Sequence, residues 1–313
     1  EVFAKVVGVE EKGFDAAFGA WAKEAVRRWG FSPDPLPELE AAARAAKDRP
    51  DDARAQADLA VALYTRGRQA EALAAAQKAL RLASDQRDAL AVAALVLSAT
   101  KKYDEALEMA RRLEKVDPAG HTAPRVLAQC HVARRDWAAG IAALELLKQR
   151  QPLDSYSYAE LAKIYVQLGR PEKALPNYIH LHRHTMTDAK YARQIAETYR
   201  AMGEDDNALR YFREVLHIDP YEASAYKAIA EIQARAGRHG EAVQAAGNWC
   251  LLQADSVDAW TTLALVRYRA GKAGDGDPAQ LSEARAAAEK ALQLGPSPRA
   301  KQVLELLDAG EGN

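Results

Sequence analysis

Apolar residues recur at helical spacing along most of this chain. Between Tyr158 and Pro220 they step by three or four positions, which is the spacing of one face of an α-helix. Each run is short: Gly169 and Gly203 end two of the runs, and Pro220 ends another. Glycine supplies the left-handed residue that follows a helix, and proline stops a helix. The pattern therefore predicts pairs of short amphipathic helices, each pair forming a hairpin.

Small residues recur with a period of 34 residues. Two series run in step, the first being Ala60, Ala94, Ala128, Ala162, Ala196, Ala230 and Ala264, and the second Ala72, Ala106, Gly140, Ala174, Ala208 and Ala242. A fixed period of this length marks a repeat architecture, in which each unit buries its apolar face against its neighbours. Small side chains belong where the two helices of a hairpin cross closely. We predict seven repeats, at residues 53–86, 87–120, 121–154, 155–188, 189–222, 223–256 and 257–298.

The order of apolar residues within one repeat matches a known family. Tyr158, Leu161, Ala162 and Tyr165, followed by Gly169, resemble the tetratricopeptide repeat, whose pattern is W-x2-L-G-x2-Y and then G, A, F, A and P over 34 residues. Alanine stands at the second core position, where the family has glycine. The resemblance implies an all-α fold: a right-handed α-α superhelix, or solenoid, of helical hairpins.

The last repeat is longer than the others. Its second small residue is Ala284, eight residues later than the period predicts, and the stretch Lys272–Ala279 is predicted to be a loop from its glycine and aspartate content. Apolar residues over 299–308 then predict a C-terminal capping helix, since terminal repeats need a polar outer face. The repeat array would extend over residues 37–313.

Residues 1–36 do not follow the period. Phe14, Phe18 and Trp21 step by three or four, which predicts an amphipathic helix with an aromatic face. We interpret this segment as an N-terminal cap whose aromatic side chains cover the first repeat, or as the tail of a preceding domain. Residues 2–21 also resemble the closing segment of bacterial gluzincin-type metallopeptidase domains. The residues that carry this resemblance are Val2, Phe3, Val7, Gly8, Val9, Phe14, Phe18 and Trp21.

Composition and motifs argue against several classes of function. The formal net charge is −1, so the chain does not have the excess of basic residues that is typical of a nucleic-acid-binding protein. The longest apolar run, Leu90–Ala99, is too short to cross a bilayer, so we expect no membrane insertion. The sequence contains no phosphate-binding glycine motif, nucleophile elbow or H-E-x-x-H. We therefore predict no enzyme activity and no cofactor. Because the sequence begins at Glu1, we expect it to be part of a longer chain, and we assign no compartment.

One pair of histidines has metal-ligand spacing. His180 and His184 are four residues apart and share one helical face. Histidines near a helix C-terminus also complement the helix dipole without any metal. The sequence places no third ligand beside them, so we predict no metal site and keep this pair as the candidate.

The family resemblance also implies where a partner would bind. In tetratricopeptide repeats, the first helix of each hairpin lines a concave groove through positions 2, 5, 9, 12 and 13 of the repeat. The candidate partner-binding residues at such positions are Arg125, Gln129, Tyr156, Lys163, Lys190, Arg193, Arg200, Lys227, Arg235 and Arg269.

The groove of the last four repeats is predicted to be basic. Some of its cations have a carboxylate four residues away: Arg193 has Glu197, while Lys227 and Arg235 both have Glu231. We expect these pairs to neutralise themselves. The cations predicted to have few acidic neighbours are Lys163, Lys190, Arg200 and Arg269. A surface with unpaired cations attracts anionic segments, so we expect an acidic peptide as the partner.

The sequence thus predicts a non-catalytic protein–protein interaction scaffold that binds a peptide or helix of a partner in its groove. Two alternatives stay open. In the first, the chain is the accessory, substrate-recruiting region of a larger zinc metallopeptidase-like protein. In the second, it assembles with itself into a homo-oligomer.

Overall fold

The computed structural model describes residues 11–28, 36–273 and 277–311, and every regular element in these ranges is an α-helix. The helices α1 (Glu11–Arg28) and α2 (Leu39–Asp48) come first, and α17 (Pro298–Glu311) comes last. Within the described residues, seven hairpins lie between them, and in each hairpin the first helix is called helix A and the second helix B. Hairpins 1 to 4 are formed by α3 (Ala53–Thr65) with α4 (Gln69–Leu82), α5 (Arg87–Ala99) with α6 (Tyr103–Val116), α7 (Thr122–Ala133) with α8 (Trp137–Arg150), and α9 (Ser155–Gln167) with α10 (Pro171–His184). Hairpins 5 to 7 are formed by α11 (Ala189–Ala201) with α12 (Asp205–Ile218), α13 (Ala223–Arg235) with α14 (His239–Leu252), and α15 (Val257–Lys272) with α16 (Ala279–Leu294). The predicted all-α fold is confirmed. None of these described helices combines the length and the apolar character that crossing a membrane requires.

The chain divides into two compact units, and the boundary lies between Ile164 and Tyr165, inside α9. In the first unit, α3 packs against α4 and α5 against α6, while α4 also packs against α5 and α6 against α7, the helices A of the following hairpins. The second unit shows the same order of contacts from α10 to α16. Each unit is therefore an α-α solenoid built by stacking hairpins.

The turns inside the hairpins require a left-handed residue, as the sequence predicts. The backbone φ is positive at four equivalent glycines, Gly67, Gly169, Gly203 and Gly237. Hairpins 2 and 3 keep this geometry without glycine, since Lys101 has φ of 61° and Arg135 has φ of 59°. A residue with a side chain is strained at positive φ, so these two turns have backbone strain that the glycine-containing turns avoid.

The two series of small residues form the contact surfaces inside the stacks. Their alanines, including Ala162 and Ala196, have no solvent exposure. At Gly140 an added methyl group would lie 3.2 Å from Val132 Cγ2, so the helices of that hairpin approach closely. Larger side chains fill the space between hairpins, such as Leu144 in the first unit and Phe212 in the second. The core of each unit thus consists of a row of small side chains where the helices meet, flanked by larger apolar side chains.

The aromatic face of α1 remains on the surface. Phe14, Phe18 and Trp21 pack in a row along the helix, with ring centroids 5.9 Å and 5.6 Å apart. Phe18 is 52% exposed and Trp21 is 60% exposed. The prediction that these aromatic side chains cover the first repeat is therefore wrong for Phe18 and Trp21, because they pack along their own helix. Residues 2–10 of the segment that resembles a metallopeptidase lie outside the described residues.

The C-terminal helix packs on the last hairpin. Ala300, Val303 and Leu307 of α17 are buried, and α17 contacts both α15 and α16. Ser297 Oγ accepts a hydrogen bond from the Ala300 N–H and lies 2.8 Å from Thr261 Oγ, which fixes the start of α17. Residues 274–276 of the predicted insertion loop lie outside the described ranges.

Candidate peptide-binding face

The first helices of neighbouring hairpins lie side by side within each unit. In the first unit α3 contacts α5 and α5 contacts α7, and in the second unit α13 contacts α15. Positions 2, 5, 9, 12 and 13 of these helices therefore share one surface, which we call the A-helix face of each unit. The ten candidate residues stand at these positions in helices A of the repeats.

In the first unit, Arg125 is held by the start of the next hairpin. Its guanidinium lies 2.9 Å from an Asp154 carboxylate oxygen and donates a hydrogen bond of 3.2 Å to Gln151. It also lies 5.3 Å from the ring centroid of Tyr156. Burial raises the pKa of the Tyr156 hydroxyl to about 12. The sequence-predicted residues Arg125 and Tyr156 are thus brought together, in a cluster that also joins hairpins 3 and 4.

Two further candidates of the first unit have local partners. Gln129 lies 3.4 Å from the Ser98 hydroxyl, which in turn contacts the buried Cys130 thiol. Lys163 forms an ion pair of 2.6 Å with Glu160, three residues earlier on the same helix. The prediction that Lys163 has few acidic neighbours is therefore wrong, because the i,i+3 carboxylate reaches it.

In the second unit, two arginines bind carboxylates of a neighbouring segment instead of their own helix. Arg193 pairs with Glu222 at 2.9 Å, just before α13, and Arg235 pairs with Asp205 of the preceding hairpin at 3.0 Å. The predicted partners four residues away on the same helix are not used. The i,i+4 rule counts only one helix, whereas stacking brings carboxylates from the next or previous hairpin within reach.

Arg200 joins two helices A. It pairs with Glu197 on its own helix at 2.7 Å and with Glu231 of the next hairpin at 3.4 Å. The prediction that Arg200 has few acidic neighbours is therefore wrong. Since Glu231 is engaged by Arg200, it does not pair with Lys227 as expected.

Three of the candidate cations in the second unit keep no carboxylate partner among the described residues. The Lys190 ammonium lies 5.1 Å from the Tyr191 ring centroid, and the Lys227 ammonium lies 5.3 Å from that of Trp249. Arg269 is exposed near the end of α15. Cation–π contacts hold a charge in place without neutralising it. Lys190, Lys227 and Arg269 therefore carry positive charges that no ion pair neutralises within the described part of the chain.

The histidine pair gains no further ligand. The His180 and His184 rings are close, with centroids 4.7 Å apart. Within the described ranges, no group of three His, Cys, Asp or Glu residues is placed to hold a metal ion. The neighbouring His182, which the sequence pattern does not single out, is buried and its Nε2 lies 2.8 Å from Glu214 of the next helix B.

Comparison with known proteins identifies the repeats. Tetratricopeptide repeat families match residues 37–87, 92–155, 155–180 and 193–220. A search of curated protein sequences finds no match.

The chain is also similar to several solved structures. YrrB, described as a TPR protein with an unusual peptide-binding site, is 20% identical with a TM-score of 0.50, covering 59% of this chain and 95% of YrrB. Naa15/Naa10 bound to HypK-THB is 19% identical with a TM-score of 0.54, covering 86% of this chain and 43% of that chain. MamA is 17% identical with a TM-score of 0.48, covering 56% of this chain and 91% of MamA. With these family matches and the stacked hairpins of 34 residues, the chain belongs to the tetratricopeptide repeat family.

Proposed function

We propose that the chain is a non-catalytic interaction scaffold and that the A-helix face of its second unit binds an acidic peptide segment of a partner protein. The observation that carries this proposal is the excess positive charge of Lys190, Lys227 and Arg269, which make no ion pair with any described residue. The other candidate cations of this face are neutralised by contacts between or within hairpins.

The expected binding is electrostatic and sensitive to salt. An exposed ion pair contributes only about 0.2–1 kcal/mol, so three such contacts give modest affinity on their own. Their larger effect is on the association rate, because a surface of one sign concentrates oppositely charged ligands near it. Apolar and hydrogen-bonding contacts of the peptide must supply the rest of the binding free energy. YrrB, a TPR protein described by its peptide-binding site, supports the choice of a peptide as ligand.

Fluorescence anisotropy with a labelled acidic peptide tests this proposal. The probe is a peptide with blocked termini and the sequence Ala-Asp-Glu-Asp-Glu-Leu-Ala, and the variant is Lys190→Glu with Lys227→Glu. Arg200 is left unchanged because its two carboxylate partners already neutralise it. We expect the variant to bind at least about tenfold more weakly, with the difference shrinking in high salt.

The matched control reverses the same number of charges elsewhere. Arg299 and Lys301 are exposed residues of α17, and Arg299→Glu with Lys301→Glu should leave the affinity unchanged. Thermal unfolding checks that all the variants fold alike. Equal binding by both double variants and the unchanged protein would contradict the proposal.

Self-association is a second candidate function, favoured by the exposed aromatic face of Phe18 and Trp21 on α1. Light scattering across a range of protein concentrations tests it. A mass that grows above the 34.2 kDa of one chain, and that falls back in Phe18→Ser with Trp21→Ser, would support it. A constant mass of one chain would refute it.

A further inference from the structure

Each unit has a pocket at an equivalent position of the repeat, between helix A and helix B of one hairpin. In the first unit the pocket has a volume of about 320 Å³ and lies among α4, α5 and α6. In the second unit it has a volume of about 440 Å³ and lies between α15 and α16. We call them the hairpin-2 pocket and the hairpin-7 pocket. Neither belongs to the A-helix faces.

The repeat allows a residue-by-residue comparison of the two pockets. With the eight-residue insertion taken into account, Arg267 occupies the position of Leu97, and Lys290 occupies the position of Arg112. Ala286 likewise stands where the hairpin-2 pocket has Glu108. The walls that helices A and B of the same hairpin supply are therefore equivalent in the two pockets, whereas α4 lines only the hairpin-2 pocket and the charges differ.

In the hairpin-2 pocket, the arginine equivalent to Lys290 and both carboxylates of the wall have partners. Arg112 donates a hydrogen bond of 2.5 Å to the Ser84 carbonyl oxygen and lies 3.9 Å from Glu108, four residues earlier. A second carboxylate on its wall, Glu105, lies 3.7 Å from Lys102. The fourth charged residue of the pocket, Arg81, is exposed and makes no ion pair among the described residues, so the hairpin-2 pocket has two cations and two carboxylates.

The hairpin-7 pocket leaves one cation unpaired. Because Ala286 replaces the carboxylate four residues before Lys290, that lysine is exposed and makes no ion pair within the described part of the chain. The other cation, Arg267, contacts Glu283 on the opposite wall. The pocket thus has two cations and one carboxylate.

Arg267 is a costly residue at this position. Its side chain is only 21% exposed, and its buried Nε has no hydrogen-bond acceptor among the described residues. Burying a guanidinium with a single carboxylate is often less favourable than burying an apolar side chain. Leu97 shows that leucine fits the equivalent position. Stability alone therefore does not account for Arg267 at this position.

The floor of the hairpin-7 pocket is apolar and pre-formed. Trp260 and Leu263 of α15 face two alanines of α16 across it. The Trp260 indole N–H donates a hydrogen bond of 2.8 Å to the Ala254 carbonyl oxygen, which fixes the ring. An apolar centre with a charged rim is the anatomy of a protein-binding patch, and Trp and Arg are enriched among the residues that carry binding energy.

From this arrangement we infer that the hairpin-7 pocket binds a peptide segment in which a large apolar residue is followed by an acidic residue. The apolar side chain packs against Trp260 and Leu263, and the carboxylate pairs with Lys290. Charge complementarity selects this occupant. The rim has two cations, Arg267 and Lys290, but only one carboxylate, Glu283, so an acidic residue of the peptide supplies the second negative charge. The inference does not rest on the A-helix face, because a different set of residues forms the pocket.

Fluorescence anisotropy tests it with a labelled peptide, Gly-Ala-Phe-Glu-Ala-Gly, blocked at both termini. Replacing its Phe with Ala, or its Glu with Gln, should weaken binding by about tenfold each. In the protein, Ala286→Glu restores the carboxylate that the hairpin-2 pocket has, and it should weaken binding by at least about tenfold because Lys290 is then paired internally. Arg267→Leu, which introduces the residue type found at the equivalent Leu97, should fold and also bind more weakly.

Two controls make the outcome decisive. Arg112→Gln, in the hairpin-2 pocket, should leave the affinity unchanged, and so should Lys190→Glu with Lys227→Glu on the A-helix face. The inference is wrong if the peptide with Gln in place of Glu binds the unchanged protein as tightly as the Phe-Glu peptide does. It is equally wrong if the Ala286→Glu variant binds the Phe-Glu peptide as tightly as the unchanged protein does. It is also wrong if a peptide ending in a free C-terminal Phe, or dodecanoate, displaces the probe far better than the unlabelled Phe-Glu peptide does.

Discussion

Replacing Lys101 or Arg135 with glycine should stabilise the first unit. Both residues have positive φ at the turn position where four other hairpins have glycine. Both side chains are exposed, and neither makes an ion pair or side-chain hydrogen bond with any described residue. The substitution therefore removes backbone strain and sacrifices no contact of the folded chain.

The expected gain follows from two opposing terms. A left-handed conformation costs an L-residue about 1–2 kcal/mol, which glycine avoids. Glycine also raises the conformational entropy of the unfolded chain, and this lowers stability by about 0.4–1 kcal/mol. The net expectation is a gain of about 0.5–1 kcal/mol for each substitution. The two sites lie in neighbouring hairpins and share no contact, so their effects should add.

Native-state hydrogen exchange is the appropriate assay, because a stack of repeats unfolds locally and does not follow a two-state transition as a whole. Amides of α5 and α6 should exchange about two- to fivefold more slowly in Lys101→Gly. Lys101→Gln removes the same charge but keeps the strain, so it should leave the exchange rates unchanged. The reverse substitution, Gly203→Ala, should speed exchange in α11 and α12, since no atom lies within 4 Å of the added methyl group and only the backbone is affected.

Faster exchange in Lys101→Gly, or an equal gain from Lys101→Gln, would refute this reasoning. The first result would mean that the unfolded-state entropy of glycine exceeds the strain. The second would mean that charge, and not backbone conformation, limits the stability of this turn.

Three further outcomes are expected. Ala162→Phe should overpack a fully buried contact and lower the free energy of unfolding by about 1–3 kcal/mol in a denaturant titration, whereas Ala273→Phe, at the end of α15, should change it little. Burial raises the pKa of the Cys250 thiol to about 12 from its usual 9.0, so the stability that the neutral thiol contributes is present below about pH 9 and is lost as the pH rises towards 12. Cys250→Ala should flatten this part of the pH–stability profile. An unchanged slope would contradict the raised pKa of Cys250. Ser297→Ala removes the cap of α17 and the partner of the Thr261 hydroxyl, and calorimetry should show a loss of about 1–2 kcal/mol; no loss would mean that α17 does not depend on this cap.

The fold could be predicted from the sequence because it is determined by short-range patterns. The alanine series and Gly169 specify the close helix contacts and the left-handed turn, and both features depend on one hairpin at a time. Even the substitution of glycine by Lys101 does not alter the turn, because the surrounding helices impose the conformation.

The charges of the candidate site could be predicted only in part. Arg193 and Arg235 pair with residues of neighbouring segments, and such pairs depend on the stacking of hairpins, which the i,i+4 rule does not describe. The sequence predicts few acidic neighbours for Lys190, and no ion pair engages it among the described residues. The charge excess near Lys290 could not be seen from one repeat alone, because it appears only when two structurally equivalent pockets are compared.

The location of a bound acidic peptide is the most direct test of the account. The measurement is photo-crosslinking with a benzophenone placed in the Ala-Asp-Glu-Asp-Glu-Leu-Ala peptide, followed by mass spectrometry of the crosslinked fragments. The account predicts crosslinks to α11, α13 and α15, the helices that carry Lys190, Lys227 and Arg269, and their loss in Lys190→Glu with Lys227→Glu. Crosslinks confined to helices B, or crosslinks that persist unchanged in the double variant, would contradict it.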